Sequence, residues 1–215
     1  KDAGKYITAG LGVMRDPETG VNNVGIYRHM VHERNLLGVQ LSETADGNVI
    51  LKKYEKAGRA CPIAIVIGHH PAFFLGSLSF TPLDTDELHI AGGMLQRPVQ
   101  LVRCKTIPLE VPADAEMVIE GFIDSDPATF EMEGPFGEYT GYFGGDQGPK
   151  HVTKVTCVTH RDDPIHRGTL EGTLPKMLNE NSITSSVQRA GVAWNVLERA
   201  GVPGVTDVHC PAANN

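Results

Sequence analysis

Apolar and polar residues alternate over short stretches along most of the chain, which predicts a protein rich in β-strands. One run, Pro62–Gly68, is apolar throughout and is typical of a strand buried on both faces. The turn Asp16-Pro-Glu-Thr-Gly20 has proline early and glycine late, so it joins the first two strands into a hairpin. The predicted strands are Lys5–Met14, Asn22–His32, Leu36–Leu41, Pro62–Gly68, Val99–Cys104, Glu116–Ile123 and Val152–His160.

Helical periodicity is weaker and is confined to four segments. They are Asn48–Ala57, Pro71–Ser77, Asp84–Met94 and Ser182–Ala200. The last is the clearest, because apolar residues from Ile183 to Leu197 recur at helical spacing and Gly201 ends the segment. Trp194 lies on that apolar face, so we expect it in the core.

The last predicted strand, Val152–His160, carries apolar residues on both faces, which places it inside a barrel or a sandwich. The chain therefore reads as an α+β domain built on an antiparallel barrel, with a C-terminal helix that leads elsewhere. A length of 215 residues suits one domain, or one domain with an appendage.

Composition excludes some classes of function. A net charge of −7 disfavours a dedicated nucleic-acid surface. No run reaches the ~18 consecutive apolar residues of a membrane helix, and no secretory signal opens the chain. Four widely spread cysteines, Cys61, Cys104, Cys157 and Cys210, show no metal-ligand spacing, so we expect reduced thiols in a cytoplasmic protein.

The ends of the chain do not look like natural termini. It starts at Lys1 without a methionine and stops shortly after the strand-like segment Val205–His209. We therefore expect a piece of a longer protein.

The loop Glu133-Gly-Pro-Phe-Gly-Glu138-Tyr-Thr-Gly-Tyr142 is the first candidate for chemistry. Glycine and proline make it too broken for a helix, so turns hold its two carboxylates five residues apart. Apolar surroundings can raise the pKa of one acid, while a neighbouring arginine keeps the other ionised. Such a pair is suited to proton transfer.

A second candidate lies on the second predicted strand, which includes Asn22-Asn-Val-Gly-Ile-Tyr-Arg28. A period of two puts Asn23, Gly25 and Tyr27 on one face and Arg28 on the other. Amide and carboxylate oxygens suit Mg or Mn, and arginine is a natural bidentate partner for a carboxylate.

Each of these residues also has an ordinary interpretation. The two glutamates could cap turns in a surface loop, Arg28 could form a structural ion pair, Asn23 could be a turn residue, and Glu87 could be solvated in the first turn of a helix.

Four motifs occur in one order along the chain and together resemble a known family. They are Asn23-x-Gly-x-Tyr-Arg28, Glu87 ahead of Ala91-Gly92, Val111-Pro-Ala-x-Ala-Glu-x-Val-x-Glu-Gly121, and Glu133-Gly-Pro-Phe-Gly-Glu-x-Thr-Gly-Tyr142. In order and spacing, over Gly4 to about Asn214, the chain resembles the UbiD-like family of reversible decarboxylases, which use prenylated FMN.

The resemblance implies an architecture. Residues 1–175 correspond to the family's central, split-barrel cofactor-binding domain, a flavin-binding-like fold. Residues 176–215 correspond to a linker helix and the start of a C-terminal domain. In the family the substrate pocket lies between these two domains, so the isolated 215-residue chain is expected to be inactive.

The resemblance also assigns roles to residues. The family's catalytic set falls on Arg28, Glu133 and Glu138, with Glu138 as the acid/base and the other two orienting it and balancing its charge. The strand residues Asn23, Val24, Gly25, Ile26, Tyr27 and Arg28 would line the cofactor, together with Glu87. Asn23 and Glu87 match two ligand positions of the family's metal, which is Mn(II) or Mg(II). In the family this metal lies beside a monovalent cation such as K and bridges the cofactor phosphate to the protein.

The chain departs from the family at one position. Family members commonly place a histidine after the third strand, where this chain reads Leu41-Ser-Glu-Thr-Ala-Asp-Gly47. Glu43 could replace the histidine as an oxygen ligand, and Asp46 is the alternative. Either residue would add a negative charge beside the cofactor phosphate. That charge weakens binding of the phosphate unless the positive charge of the metal offsets it.

The implied reaction is the loss of CO2 from an aryl or α,β-unsaturated carboxylic acid through an adduct with prenylated FMN, after which Glu138 protonates the carbon. A flavin prenyltransferase would supply the cofactor, and the full-length protein would be a homo-oligomer. Two alternatives stay open: a flavin-binding or scaffold subunit without catalysis, and an FMN reductase-like split barrel, which leaves the carboxylate pair without a role.

Overall fold

The protein is described here by a computed structural model that covers residues 2–138, 142–144, 147–168 and 179–211. Twelve β-strands are present in the described residues. They are β1 Tyr6–Ile7, β2 Leu11–Arg15, β3 Asn22–Ile26, β4 His29–Glu33, β5 Leu36–Gly38, β6 Cys61–Ile67, β7 Leu101–Arg103, β8 Glu110–Pro112, β9 Met117–Ile123, β10 Glu131–Glu133, β11 Gly148–Lys150 and β12 Val152–His160.

Eight of these strands form one antiparallel sheet in the order β1-β4-β5-β12-β9-β6-β2-β3. The pairs β7–β8 and β10–β11 are separate two-stranded sheets. As predicted, β2 and β3 form a hairpin, whose turn is held by hydrogen bonds from the backbone N–H groups of Glu18 and Thr19 to the Asp16 carboxylate. Strand β12 pairs on both sides, as its two-sided pattern predicts.

The prediction of one strand over Asn22–His32 is wrong. The chain breaks after β3 at Tyr27 and Arg28 and resumes as β4. Strand β3 lies at one edge of the sheet, whereas β4 is next to the opposite edge. Because consecutive Cα atoms are only about 3.8 Å apart, a two-residue link requires the two edges to come together. The sheet is therefore curled into a split barrel, and the seam lies at Tyr27 and Arg28.

The described residues contain four helices: α1 Asp46–Lys56, α2 Pro71–Ser77, α3 Glu87–Leu95 and α4 Glu180–Arg199. Helices α1, α2 and α3 pack against the sheet. All four were predicted, with ends that differ by up to three residues. Asp86 caps α3 by accepting from the Leu88 N–H, and Asn179 and Ser182 form a capping box at the start of α4. The α+β class and the split antiparallel barrel are thus confirmed.

Strand β6 divides the core. It is buried along its whole length, as its apolar run predicts. Ile63 and Ile65 belong to a cluster with α1, while Ala64 and Val66 belong to a second cluster with α2 and α3. This alternation follows the period of two along a strand, so helices cover both faces of the sheet.

The prediction for the apolar face of α4 is wrong. Ile183 and Val187 are largely exposed, and the buried side chains of this helix are Ser182 and Ser186. Trp194 is not in the core: it is partly exposed, and its indole N–H donates to Glu198 one turn later at 2.7 Å. Helical periodicity identified the helix but not the face that it packs.

No helix in the described ranges is long and apolar enough to cross a membrane. The predicted domain boundary between residues 175 and 176 lies outside the described residues and stays a prediction.

Candidate active site

The barrel seam opens into a cavity of about 650 Å³. Its walls are residues 23–28 of β3 and the seam, residues 42 and 44–46 before and at the start of α1, and residues 77–81 at the end of α2 and after it. Phe136 and Glu138 from the acidic loop, four polar residues of α4, and the side chains of Thr8, Gln40 and Phe74 complete it. Six of the seven residues predicted to bind the cofactor therefore line one cavity; the seventh, Glu87, lies behind Asn23.

Arg28 joins the two acids of the loop. Its Nε donates to Glu133 Oε1 at 2.7 Å and its Nη1 donates to Glu138 Oε1 at 2.5 Å. The three predicted catalytic residues thus meet at one guanidinium, although Arg28 lies more than 100 positions before the two glutamates. One positive charge faces two carboxylates, so the cluster carries a net charge of −1 when all three groups are ionised.

The two carboxylates differ in their access to solvent. Glu133 is fully buried, which rules out a surface turn cap, and its Oε2 has no hydrogen-bond partner in the described part of the chain. The Glu138 side chain is 34% exposed and borders the cavity. Glu133 can therefore act as a fixed counter-charge to Arg28, while Glu138 can reach both a bound ligand and water.

Aromatic rings enclose the Arg28 side of this cluster. The guanidinium lies 4.8 Å from the centre of the Phe136 ring, and Tyr6 packs against the same ring at 4.7 Å. Burial raises the pKa of Tyr6, and the nearby Glu133 charge raises it further. This apolar cover reduces screening and strengthens the Arg28 ion pairs.

The acidic loop folds back on itself next to Glu138. The Glu138 N–H donates to the Tyr142 carbonyl and the Gly144 N–H donates to the Phe136 carbonyl, each at 2.8 Å. A Cβ at Gly144 would collide with the Glu138 carboxylate, so a side chain there would displace Glu138 from its present position. Residues 139–141 of the motif lie outside the described residues.

Asn23 and Glu87 form a second polar cluster behind the cavity wall. Asn23 Nδ2 donates to Glu87 Oε1 at 3.2 Å, and the Val24 N–H donates to Glu87 Oε2 at 2.9 Å. Both side chains are buried, which rules out a turn role for Asn23 and a solvated role for Glu87. Burial raises the pKa of Glu87 to about 7, although these hydrogen bonds lower it in part.

The third predicted metal ligand is separate from this pair. Glu43 is exposed and does not line the cavity, and its backbone carbonyl accepts from Asn48. Asp46, the alternative, does line the cavity, and burial raises its pKa. Within the described ranges, no group of three or more His, Cys, Asp or Glu side chains is arranged to hold a metal. A metal here would therefore depend on Asn23, Glu87 and oxygens of a ligand.

Sequence reasoning missed several polar residues of the cavity, including Gln40, Thr81 and Gln188. Gln40 reaches it because its backbone pairs with Arg28, in continuation of the β4–β5 pairing. Gln188 reaches it because α4 turns its polar face inward. Neither placement can be inferred from the local sequence, because each depends on contacts between distant segments.

These residues provide the test of whether a flavin fits. Gln40 Oε1, Thr81 Oγ1 and Gln188 Nε2 are buried and have no hydrogen-bond partner among the described residues. Buried polar atoms normally have partners, so unpaired ones around a cavity indicate a polar ligand. With apolar walls from Ile26, Leu78 and Phe74, the site fits a large, flat, polar-edged molecule.

Comparisons with known proteins agree with this geometry. A family model described as the UbiD, 3-octaprenyl-4-hydroxybenzoate carboxy-lyase Rift-related domain, matches residues 1–174. An uncharacterized protein of Aquifex aeolicus is 36% identical over 213 residues, which are 99% of this chain and 42% of that protein. Another, sll0936 of Synechocystis, is 38% identical over 98% of this chain and 40% of its own length.

Solved structures show the same likeness. One is the UbiD-class enzyme HmfF from Pelotomaculum thermopropionicum, in an evolved dimeric form in complex with prFMN. It is 40% identical to this chain with a TM-score of 0.89, and the match covers 99% of this chain and 47% of HmfF. The 3,4-dihydroxybenzoic acid decarboxylase AroY of Klebsiella pneumoniae, in the apo form, is 32% identical with a TM-score of 0.83 over 99% of this chain and 44% of its own.

The chain spans less than half the length of each of these relatives. Its fold, the order of its motifs and the family match over residues 1–174 agree. The chain therefore belongs to the UbiD family, which includes decarboxylases.

Proposed function

We propose that the protein is a non-oxidative decarboxylase, or a carboxylase in the reverse direction, that uses prenylated FMN and acts on aryl or α,β-unsaturated carboxylic acids. The observation that carries the proposal is the contact of Arg28 with both Glu133 and Glu138 at the edge of the large cavity. The two solved relatives support it, since one holds prFMN and the other is named as an aromatic acid decarboxylase.

The flavin would occupy the cavity lined by residues 23–28 and would supply the electron sink that makes loss of CO2 possible. The protein supplies position and protons. Polar groups of Gln40, Thr81 and Gln188 are available for the edges of the ring system or for its phosphate. A flavin prenyltransferase would provide the modified cofactor.

Glu138 is the proposed acid/base. It borders the cavity, so it can deliver a proton to the substrate carbon that loses CO2, and its partial exposure allows it to recover a proton from water. Arg28 holds Glu138 in place and can also attract the substrate carboxylate. Buried Glu133 anchors Arg28 from the other side, so the guanidinium stays aligned when the charge of Glu138 changes.

A divalent cation, Mn(II) or Mg(II), would be held by the Asn23 oxygen, by Glu87 and by the flavin phosphate, with K as a possible neighbour. The donor set supports this proposal, since amide and carboxylate oxygens are hard ligands. Glu43 is kept as the proposed third protein ligand and Asp46 as its alternative. Loss of metal affinity on Glu43→Gln or on Asp46→Asn identifies which of them contributes.

The direct test is anaerobic reconstitution of the full-length protein with prenylated FMN and Mn(II), followed by measurement of flavin absorbance and of CO2 release from a panel of aryl and α,β-unsaturated acids. We expect metal-dependent flavin absorbance and CO2 release from at least one acid. Flavin binding without any CO2 release would contradict the proposal and favour a flavin-binding subunit without catalysis.

A further inference from the structure

Residues 2–7, which include strand β1 and are called the β1 segment below, lie against the acidic loop. Asp2 Oδ1 accepts a hydrogen bond from the Gly137 N–H at 2.7 Å. The Ala3 N–H donates to the Pro135 carbonyl at 2.9 Å. The proposed chemistry leaves both contacts unexplained, although they hold the part of the loop that separates its two carboxylates.

A third contact lies between these two. The Tyr6 ring packs against the Phe136 ring, with 4.7 Å between their centres, and the Arg28 guanidinium lies 4.8 Å from the centre of the same Phe136 ring. The β1 segment therefore contacts three consecutive loop residues, 135–137. Because Glu138 follows directly, these contacts fix the backbone from which its side chain extends.

The β1 segment is itself tied to the barrel. Tyr6 is paired with Met30 of β4, and the Val31 N–H donates to the Lys5 carbonyl at 2.8 Å. Strand β4 begins at the residue after Arg28. One segment thus connects the strand that follows Arg28 to the loop that carries the two carboxylate partners of Arg28.

The loop also has contacts of its own. Gly137 pairs with Phe143 across an isolated bridge, and the Glu138 N–H donates to the Tyr142 carbonyl. This pairing is internal to the loop, so it does not by itself fix the loop relative to the barrel. The contacts with the β1 segment add that connection, immediately before Glu138.

We propose that the β1 segment positions the acid/base loop, and that Asp2 is a positioning residue that places Glu138 through its hydrogen bond with the Gly137 N–H. Asp2 is exposed and does not line the cavity, so it acts through the loop and not on a bound ligand. The inference rests on the proposed function in that Glu138 is the acid/base. A displacement of about 1 Å at a reacting group can lower a rate by about 100-fold.

The test compares Asp2→Ala with Asp2→Asn in the full-length protein loaded with prenylated FMN. Alanine removes the acceptor for the Gly137 N–H, whereas asparagine keeps an oxygen there and removes only the charge. We expect Asp2→Ala to lower kcat for CO2 release at least about 10-fold with KM unchanged, and Asp2→Asn to retain most of the wild-type kcat. Wild-type kcat in Asp2→Ala, or an equal loss in both variants, would overturn the inference.

Hydrogen exchange gives a second readout that needs neither flavin nor activity. Deuterium uptake is measured by mass spectrometry in peptides that contain Gly137. We expect the Gly137 N–H to exchange at least about 10-fold faster in Asp2→Ala, the change expected for loss of one hydrogen bond to a charged group. Wild-type exchange in Asp2→Ala would overturn the inference. Failure of the proposed function is distinguishable, since the wild-type protein would then release no CO2 while exchange would still report on the contact.

Asp126→Ala is the matched control. Asp126 is also exposed, and its Oδ1 also accepts from a backbone N–H, that of Ala128 at 2.9 Å, in the turn that precedes β10. Its replacement removes a similar hydrogen bond away from the β1 segment, so wild-type kcat is expected. An equal loss of kcat in Asp126→Ala would reduce the role of Asp2 to general stability and contradict the proposal.

Tyr6→Leu provides an independent variant because it removes the ring that packs against Phe136 and leaves Asp2 unchanged. It is expected to lower kcat as Asp2→Ala does. Wild-type kcat in a folded Tyr6→Leu variant would show that the β1 segment does not position the loop.

Discussion

At the scale of single residues, Arg28 holds two carboxylates in different surroundings. Glu133 is buried, and one of its oxygens has no partner among the described residues, whereas Glu138 reaches the cavity and solvent. A buried carboxylate that lost its arginine would be an uncompensated charge, which is costly. The difference in burial therefore separates a fixed counter-charge from a residue that can exchange protons.

His29, the residue after Arg28, makes stability depend on pH. It is fully buried, and burial lowers its pKa to about 4, with a backbone contact to Gly38 offsetting part of that effect. The unfolded chain binds a proton near pH 6.5 whereas the folded protein does not until about pH 4. Between these values stability falls as pH falls, by about 3 kcal/mol from this one group.

We expect His29→Leu to flatten that part of the pH dependence, measured by urea unfolding between pH 7 and 4. The matched control is His89→Leu, because His89 is exposed on α3 and its replacement leaves the wild-type slope unchanged. A slope in His29→Leu as steep as that of the wild type would show that His29 is not the group responsible.

At the scale of elements, the barrel depends on the close approach of β9 and β12. Their register shifts between Val155 and Cys157, and Val155 is the residue opposite Gly121. A Cβ on Gly121 would lie 2.5 Å from the Lys154 carbonyl oxygen of β12. A glycine at this point lets the two backbones pack tightly at an irregularity in the ladder.

Gly121→Ala is therefore expected to lower the free energy of unfolding by about 1–3 kcal/mol, because the strands must move apart. Gly93→Ala is the contrasting variant: it lies within α3 with open space around its Cα, so alanine is expected to stabilise by up to about 1 kcal/mol through helix propensity. Chemical denaturation of both variants measures the difference, and equal stability would contradict the importance of the β9–β12 contact.

At the scale of the whole molecule, the sequence predicted most of the architecture. The hairpin, the buried strand β6, the four helices and the antiparallel split barrel all follow from periodicity, turn chemistry and the ordered motifs. Periodicity could not show the break at Tyr27 and Arg28, because that break reflects closure of the sheet, which is a long-range property. It also could not show that Ser182 and Ser186 are the buried residues of α4, because that depends on which distant segments the helix contacts.

The sequence predicted the acidic residues of the site and Arg28, but not the polar residues of the cavity wall. Motif order suggested that Arg28, Glu133 and Glu138 belong together, and the structure brings them into contact. The cavity residues Gln40 and Gln188 belong to no local pattern, because the pairing of Gln40 with Arg28 and the orientation of α4 bring them there. The proposed ligand Glu43 was inferred from its position in the chain, and it lies exposed outside the cavity wall.

The central claim is that Glu138 exchanges the proton in the reaction. The most direct measurement is CO2 release by the full-length protein carrying Glu138→Gln, beside Glu131→Gln as a matched control on the exposed side of β10. We predict that Glu138→Gln retains flavin absorbance and loses CO2 release by at least about 100-fold, the contribution typical of a general acid/base, while Glu131→Gln keeps wild-type activity. Wild-type CO2 release by Glu138→Gln would contradict the account.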